Sequence, residues 1–113
     1  MNKRITFRGM DHSPVIEEFS QRHLERIIHL LTSERTPQHL ELTLTAHPAH
    51  AHHEIEILVK TPHYDLVARR EGADMYQEIE KTVDVMIREI KKAKEKYLDA
   101  RKNGAPIIEE PVE

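Results

Sequence analysis

Two nine-residue stretches near the middle of the chain leave it little conformational choice. In "HLELTLTAH" (39–47), Leu40, Leu42 and Leu44 alternate with Glu41, Thr43 and Thr45, and in "HEIEILVKT" (53–61) Ile55, Ile57 and Val59 repeat the period. A two-residue period puts all six apolar side chains on one side of a strand and the polar ones on the other, which predicts a sheet buried on one face only. The loop between them, "PAHAH", is short, so the two strands pair antiparallel. After Pro62-His63 a third segment, "YDLVARRE", reads as a shorter strand with less regular alternation. Ahead of all three, "KRITFRG" sets Ile5 and Phe7 on one side and closes at Gly9.

Such a sheet needs a cover for its apolar face, and the sequence supplies two amphipathic helices. Ser13 before Pro14 is a start signal, because the hydroxyl can cap free backbone N–H groups while proline is tolerated in the first turn. Val15, Ile16, Phe19, Ile27 and Leu30 then recur at helical spacing, predicting a helix over 14–31. "TSERTPQ" is a turn-rich connection. Asp74, with Gln77 three residues on, predicts a capping box for a second helix. Met75, Ile79, Val83, Met86, Ile90, Ala93 and Tyr97 form its stripe, and it runs to Lys102 before Asn103-Gly104. The expected fold is α+β in the order β-α-β-β-β-α, with a four-stranded sheet, both helices packed on one face and a solvated polar face opposite. The chain is read as one domain over 1–102 followed by a flexible acidic tail over 103–113.

Composition narrows the function classes. With 113 residues one core and no second domain are expected, and with no cysteine neither a disulfide framework nor a thiolate metal site is expected. The N-terminus lacks a secretory pattern and no apolar run spans a bilayer, so no membrane role is expected and the location is read as cytoplasmic. No nucleophile elbow or glycine-rich phosphate loop is present, and Ser13 is better used as a cap, so the chain is read as a non-enzyme without cofactor or small-molecule substrate. The run "HPAHAHHE" brings His47, His50, His52 and His53 near Glu54, but His52 and His53 point to opposite faces if extended and no ligand spacing is recognisable, so no metal is expected.

The remaining anomaly is a crowd of cations late in the second helix of a chain whose net charge is −3. At about 100° per residue, Lys81, Arg88 and Lys92 lie almost opposite the apolar stripe, with Lys96 nearby. Arg88, Lys92 and Lys96 are spaced i, i+4, i+8, a ladder of like charges that is mildly repulsive without an external anion. Lys91, Lys94, Arg101 and Lys102 widen it. On the first helix Arg22, Arg26 and His29 share a stripe, and Arg8 ends the first strand; side-by-side helices would join these groups into one positive face for phosphates. Two other readings stand beside this one. Cations late in a helix suit its macrodipole as a plain solvated end, and the near-heptad stripe of the second helix could pair with another protein's helix.

The phrase "EGADMY" followed by the spaced pattern through "REIKKAKEK" resembles the short ribosome hibernation promoting factors and ribosome-associated inhibitors, the sigma-54 modulation family. The resemblance covers roughly residues 3–98 and rests on Glu71, Gly72, Asp74, Met75, Tyr76, Ile79, Arg88, Ile90, Lys92, Lys94 and Lys96. Upstream, Ile5-Thr6, Ser13, His23, Leu24, Arg26 and Ile27 fit, with His23 in place of the usual Lys or Arg, and Arg8 matches a basic position of the inhibitor branch. The resemblance implies a fold like double-stranded-RNA-binding domains, lodged in the decoding channel of the small ribosomal subunit and blocking mRNA and tRNA at the A and P sites. Its partners would be that subunit and its rRNA, with the protein a monomer off the ribosome, and Arg88, Lys91, Lys92, Lys94, Lys96, Arg26, His23 and Arg8 the expected rRNA-binding residues. The acidic ending is closer to the branch that keeps ribosomes as inactive monomers than to the tail-less branch that pairs them, and both outcomes stay open.

Overall fold

A computed structural model describes the backbone of residues 1–102 and the side chains of that range except Pro48 and 99–102. The order is β1 (Asn2–Arg8), α1 (Pro14–Leu31), β2 (His39–His47), β3 (His52–Lys60), β4 (Asp65–Gly72) and α2 (Met75–Lys102), with a single 3₁₀ turn, Pro48–His50, between β2 and β3. The expected tail over 103–113 lies outside the described residues, as do the side chains of Arg101 and Lys102.

The sheet runs in the order β1-β2-β3-β4. β1 and β2 are parallel, as a strand–helix–strand connection requires, while β2–β3 and β3–β4 are antiparallel. Register carries the alternation across all four strands. Leu42 faces both Ile5 and Ile57, and Ile57 faces Ala68, so one face stacks apolar rows. Leu40, Leu42, Leu44, Ile55, Ile57 and Val59 are essentially inaccessible. The opposite rows, such as Thr6–Thr43–Glu56–Arg69, face solvent.

Both helix starts follow the sequence. Ser13 Oγ accepts from the Ile16 N–H (3.2 Å), with Pro14 in the first turn, and Asp74 Oδ1 accepts from the Gln77 N–H (3.2 Å). The helices lie side by side and parallel: Phe19 meets Tyr76, Arg26 meets Asp84, and Lys94 meets the carbonyl of Leu30. The stripe of α2 is consumed in the core, where Met75, Ile79, Val83, Met86 and Ile90 are buried. That leaves no free apolar seam for pairing with a partner helix along this stretch.

The buried face of α1 differs from expectation. Its core residues are Ser20, Leu24, Ile27 and Leu31, whereas Val15 is 66% exposed. Val15 precedes Leu24 by nine residues, about 900° of helix, which is half a turn out of phase. An apolar residue in the first turn was counted into a stripe whose axis is set by the later, better-packed positions.

Candidate nucleic-acid interface

The direction of each cation on α2 follows from the buried stripe. Arg88 and Lys92 lie about 160° to either side of Ile90, Lys81 about 180° away, and Lys96 and Lys91 about 100–120° away. All five are exposed. Lys92, 77% exposed, has Glu89 within 3.7 Å, while Arg88, Lys91 and Lys96 have no side-chain partner among the described residues. The i, i+4, i+8 ladder is therefore a real outward row, and among the described residues only Lys92 of its members has a carboxylate within ion-pair distance.

The parallel packing brings α1 cations to its flank. Arg26 forms an ion pair with Asp84 across the helix pair (3.0 Å) while remaining half exposed, and it shares a shallow hollow with Lys81, Asp84 and Arg88. A second shallow groove between the helices is lined by Glu25, Arg26, His29, Leu30, Ile87 and Lys91. Arg26, Arg88, Lys91 and Lys92 thus line adjoining hollows with His29, which shares the α1 stripe of Arg22 and Arg26, and Lys96 is exposed one turn beyond Lys92.

Three expected site residues are placed elsewhere. Lys94 is only about 40° from Ile90 around the helix, so it points along the flank toward α1. Its Nζ donates to the Leu30 carbonyl and lies 3.4 Å from Ser33 Oγ and 3.6 Å from the Glu34 carboxylate, with 25% of the side chain exposed. It ties the two helix ends together. Beside it burial, and next the Glu34 charge, hold the Tyr64 hydroxyl well above the ordinary phenol range. His23 is turned into the helix pair: its ring lies on Phe19 (4.5 Å), its Nε2 is 3.7 Å from Glu80, and its Nδ1 is buried without a partner among the described residues. Arg8 sits in register with Thr45 on the open side of the sheet, behind the helix layer. Spacing along one element turns Lys94 toward the buried stripe and Arg8 away from Ile5 and Phe7, but which groups each of them meets is decided by packing between elements.

The "EGADMY" phrase builds the launch of α2. Gly72 packs where any Cβ would lie 2.5 Å from Glu78 Oε2, and Glu78, buried, receives Arg70 Nε at 2.9 Å. Asp74 caps the helix, Met75 enters the core and Tyr76 stands edge-on to Phe19 at 4.9 Å. Arg69 and Arg70, adjacent in sequence, thereby serve opposite faces, since Arg69 donates to Glu54 on the open side. That contact holds the Glu54 carboxyl below its ordinary range.

The histidine-rich hairpin is arranged around carboxylates. His47 and His52 face one another across β2 and β3, with Nε2 atoms 3.5 Å from Glu54 and 2.8 Å from Glu71 respectively. Among the described residues no three metal-ligating side chains converge, and no helix is long and apolar enough to cross a membrane.

The fold is shared with solved structures. The N-terminal domain of Protein Y from Thermus thermophilus superposes with a TM-score of 0.66 at 22% identity, covering 81% of this chain and 98% of that one. A ribosomal subunit interface protein from Coxiella burnetii gives 0.67 at 19% identity, covering 83% and 98%. No curated protein sequence matches the chain. Residues 4–98, nearly the whole described domain, match the family described as Sigma 54 modulation protein / S30EA ribosomal protein, and the chain belongs to that family.

Proposed function

We propose that this protein is a non-enzymatic, ribosome-associated inhibitor of translation that binds the small subunit through the outer face of its helix pair. The observation that carries the reading is the row of Arg88, Lys92 and Lys96, directed away from the core and flanked by Lys91 and Arg26. Like charges at one-turn spacing repel one another in the free protein and are relieved by phosphates, which contribute affinity without base readout. The family description, and the naming of one structural neighbour as a ribosomal subunit interface protein, support the ribosome as the source of those phosphates.

On this reading the domain is a cytoplasmic monomer that occupies the decoding channel of idle ribosomes and excludes mRNA and tRNA from the A and P sites. Inhibition then needs only occlusion, and no residue is required to make or break a bond. Stationary-phase or stressed cells, where ribosomes stand idle, are the setting in which it acts. Sedimenting a stationary-phase lysate and detecting the protein across the gradient tests this directly: it should travel with small subunits and whole ribosomes, and its confinement to the top of the gradient at low salt would overturn the reading.

A further inference from the structure

The groove between α1 and α2 holds an imidazole whose surroundings differ from those of most others in the chain. His12, His23, His47, His52 and His63 each have a carboxylate oxygen within ion-pair distance, from Glu17, Glu80, Glu54, Glu71 and Glu34 in turn. His29 is exposed, has no such partner among the described residues, and lines the groove with Arg26 of its own helix and Lys91 of α2. Among the described residues, the charged groups lining the groove with it are those two cations, Arg26 being paired with Asp84 of α2, and Glu25, one turn earlier on α1, while Leu30 and Ile87 form the apolar wall.

We propose that His29 is a proton-dependent phosphate contact, which makes the helix face bind RNA more tightly as pH falls from about 8 toward 6. The inference rests on the ribosome-binding reading and adds its regulation. In the free protein the ring shares the groove with Lys91, with Glu25 and with an Arg26 already paired with Asp84. A phosphate laid along Arg26 and Lys91 changes that balance, because a nearby anion favours the charged imidazole. By linkage, whatever the anion adds to proton affinity the proton adds to anion affinity. Imidazole is the side chain whose charge changes between about pH 5 and 8, so a contact that depends on its proton switches on across a range that cells reach.

The test measures binding of fluorescently labelled full-length protein to purified small subunits at pH 7.8 and 6.0, at 50 and 200 mM salt. Wild type should tighten about three- to tenfold at pH 6.0. One added phosphate contact should also make its loss of affinity across that salt range about 3.5-fold larger at pH 6.0 than at 7.8. His29→Gln should lose most of both responses, and His29→Arg should bind tightly at either pH. His39→Gln, an exposed site at the start of β2, should respond as wild type does. A His29→Gln protein that keeps the full pH response overturns the inference, as does wild-type binding that is equal at both pH values, and in either case the ribosome reading survives. Wild type that binds at neither pH removes the ribosome reading and this inference together.

Discussion

Replacing Arg88, Lys92 and Lys96 together by glutamine separates an RNA-binding row from a solvated helix end. The fold should barely notice. All three side chains are exposed, glutamine is a comparable helix former, and the one nearby carboxylate, Glu89 at 3.7 Å from a Lys92 that is 77% exposed, is a surface pair of a few tenths of a kcal/mol at most. Removing two like-charge neighbours at i, i+4 offsets even that, so the net change in stability should stay under about 1 kcal/mol. Binding should respond very differently. Three lost phosphate contacts flatten the dependence of log affinity on log salt by about 2.7, and a fourfold rise in salt changes affinity by about 3.5-fold per contact. Wild type should therefore lose about 40-fold more affinity than the variant between 50 and 200 mM salt, and bind well over tenfold more tightly at the lower value. Lys94→Gln is the internal comparison, because its ammonium is turned toward Leu30, Ser33 and Glu34. It should cost roughly 1–2 kcal/mol of stability, by stranding a carbonyl and a largely covered carboxylate, and leave the salt slope within one contact of wild type. Thermal melts and ribosome pelleting over a salt series read both variants. A folded triple variant with the wild-type slope would refute the phosphate row, and a Lys94→Gln protein that flattens the slope without losing stability would refute the division between the two kinds of cation.

Three further outcomes follow from the packing. Leu24→Ala should cost about 2–5 kcal/mol by emptying a fully buried site, while Val15→Gln should change stability by under about 0.5 kcal/mol; chemical denaturation of both checks which face α1 buries. Gly72→Ala should destabilise by roughly 1–3 kcal/mol because its Cβ meets the Glu78 carboxylate held by Arg70, and the penalty should shrink in a Glu78→Ala background, measured as a double-mutant cycle. Glu54 is held below its ordinary range first by its bond to Arg69, so the stabilisation it provides is present above the unfolded value and is lost as pH falls through the lowered one. The difference in melting temperature between wild type and Arg69→Gln should accordingly be full above the ordinary carboxylate range and fade as pH falls through it and below, and a difference that grows on acidification would contradict the assignment.

What the sequence determined by itself was everything encoded by a period along one element. Leu40-Leu42-Leu44 and Ile55-Ile57-Val59 each state which side of a strand is buried, Ser13-Pro14 and Asp74 state where helices begin, and the stripe from Met75 to Ile90 states which way Arg88 and Lys92 must point. These are local facts, because the backbone geometry of a strand or helix converts spacing into direction without reference to any other part of the chain. The tertiary structure alone decided what lies beside each element. Spacing already separates Lys94 from Arg88, at about 40° and 160° from Ile90, but only the packing of α1 shows that Lys94 meets the Leu30 carbonyl while Arg88 stays in solvent. Arg8 was read as part of the positive face until the register with Thr45 set it behind the sheet, and His23 until Phe19 and Glu80 enclosed it. His29, which shares a stripe with Arg22 and Arg26 by spacing, lines one groove with Lys91 because parallel packing lays α1 alongside a helix more than fifty residues later in the chain. Distances across such a separation are fixed by how the whole core packs, and no pattern within either helix contains them.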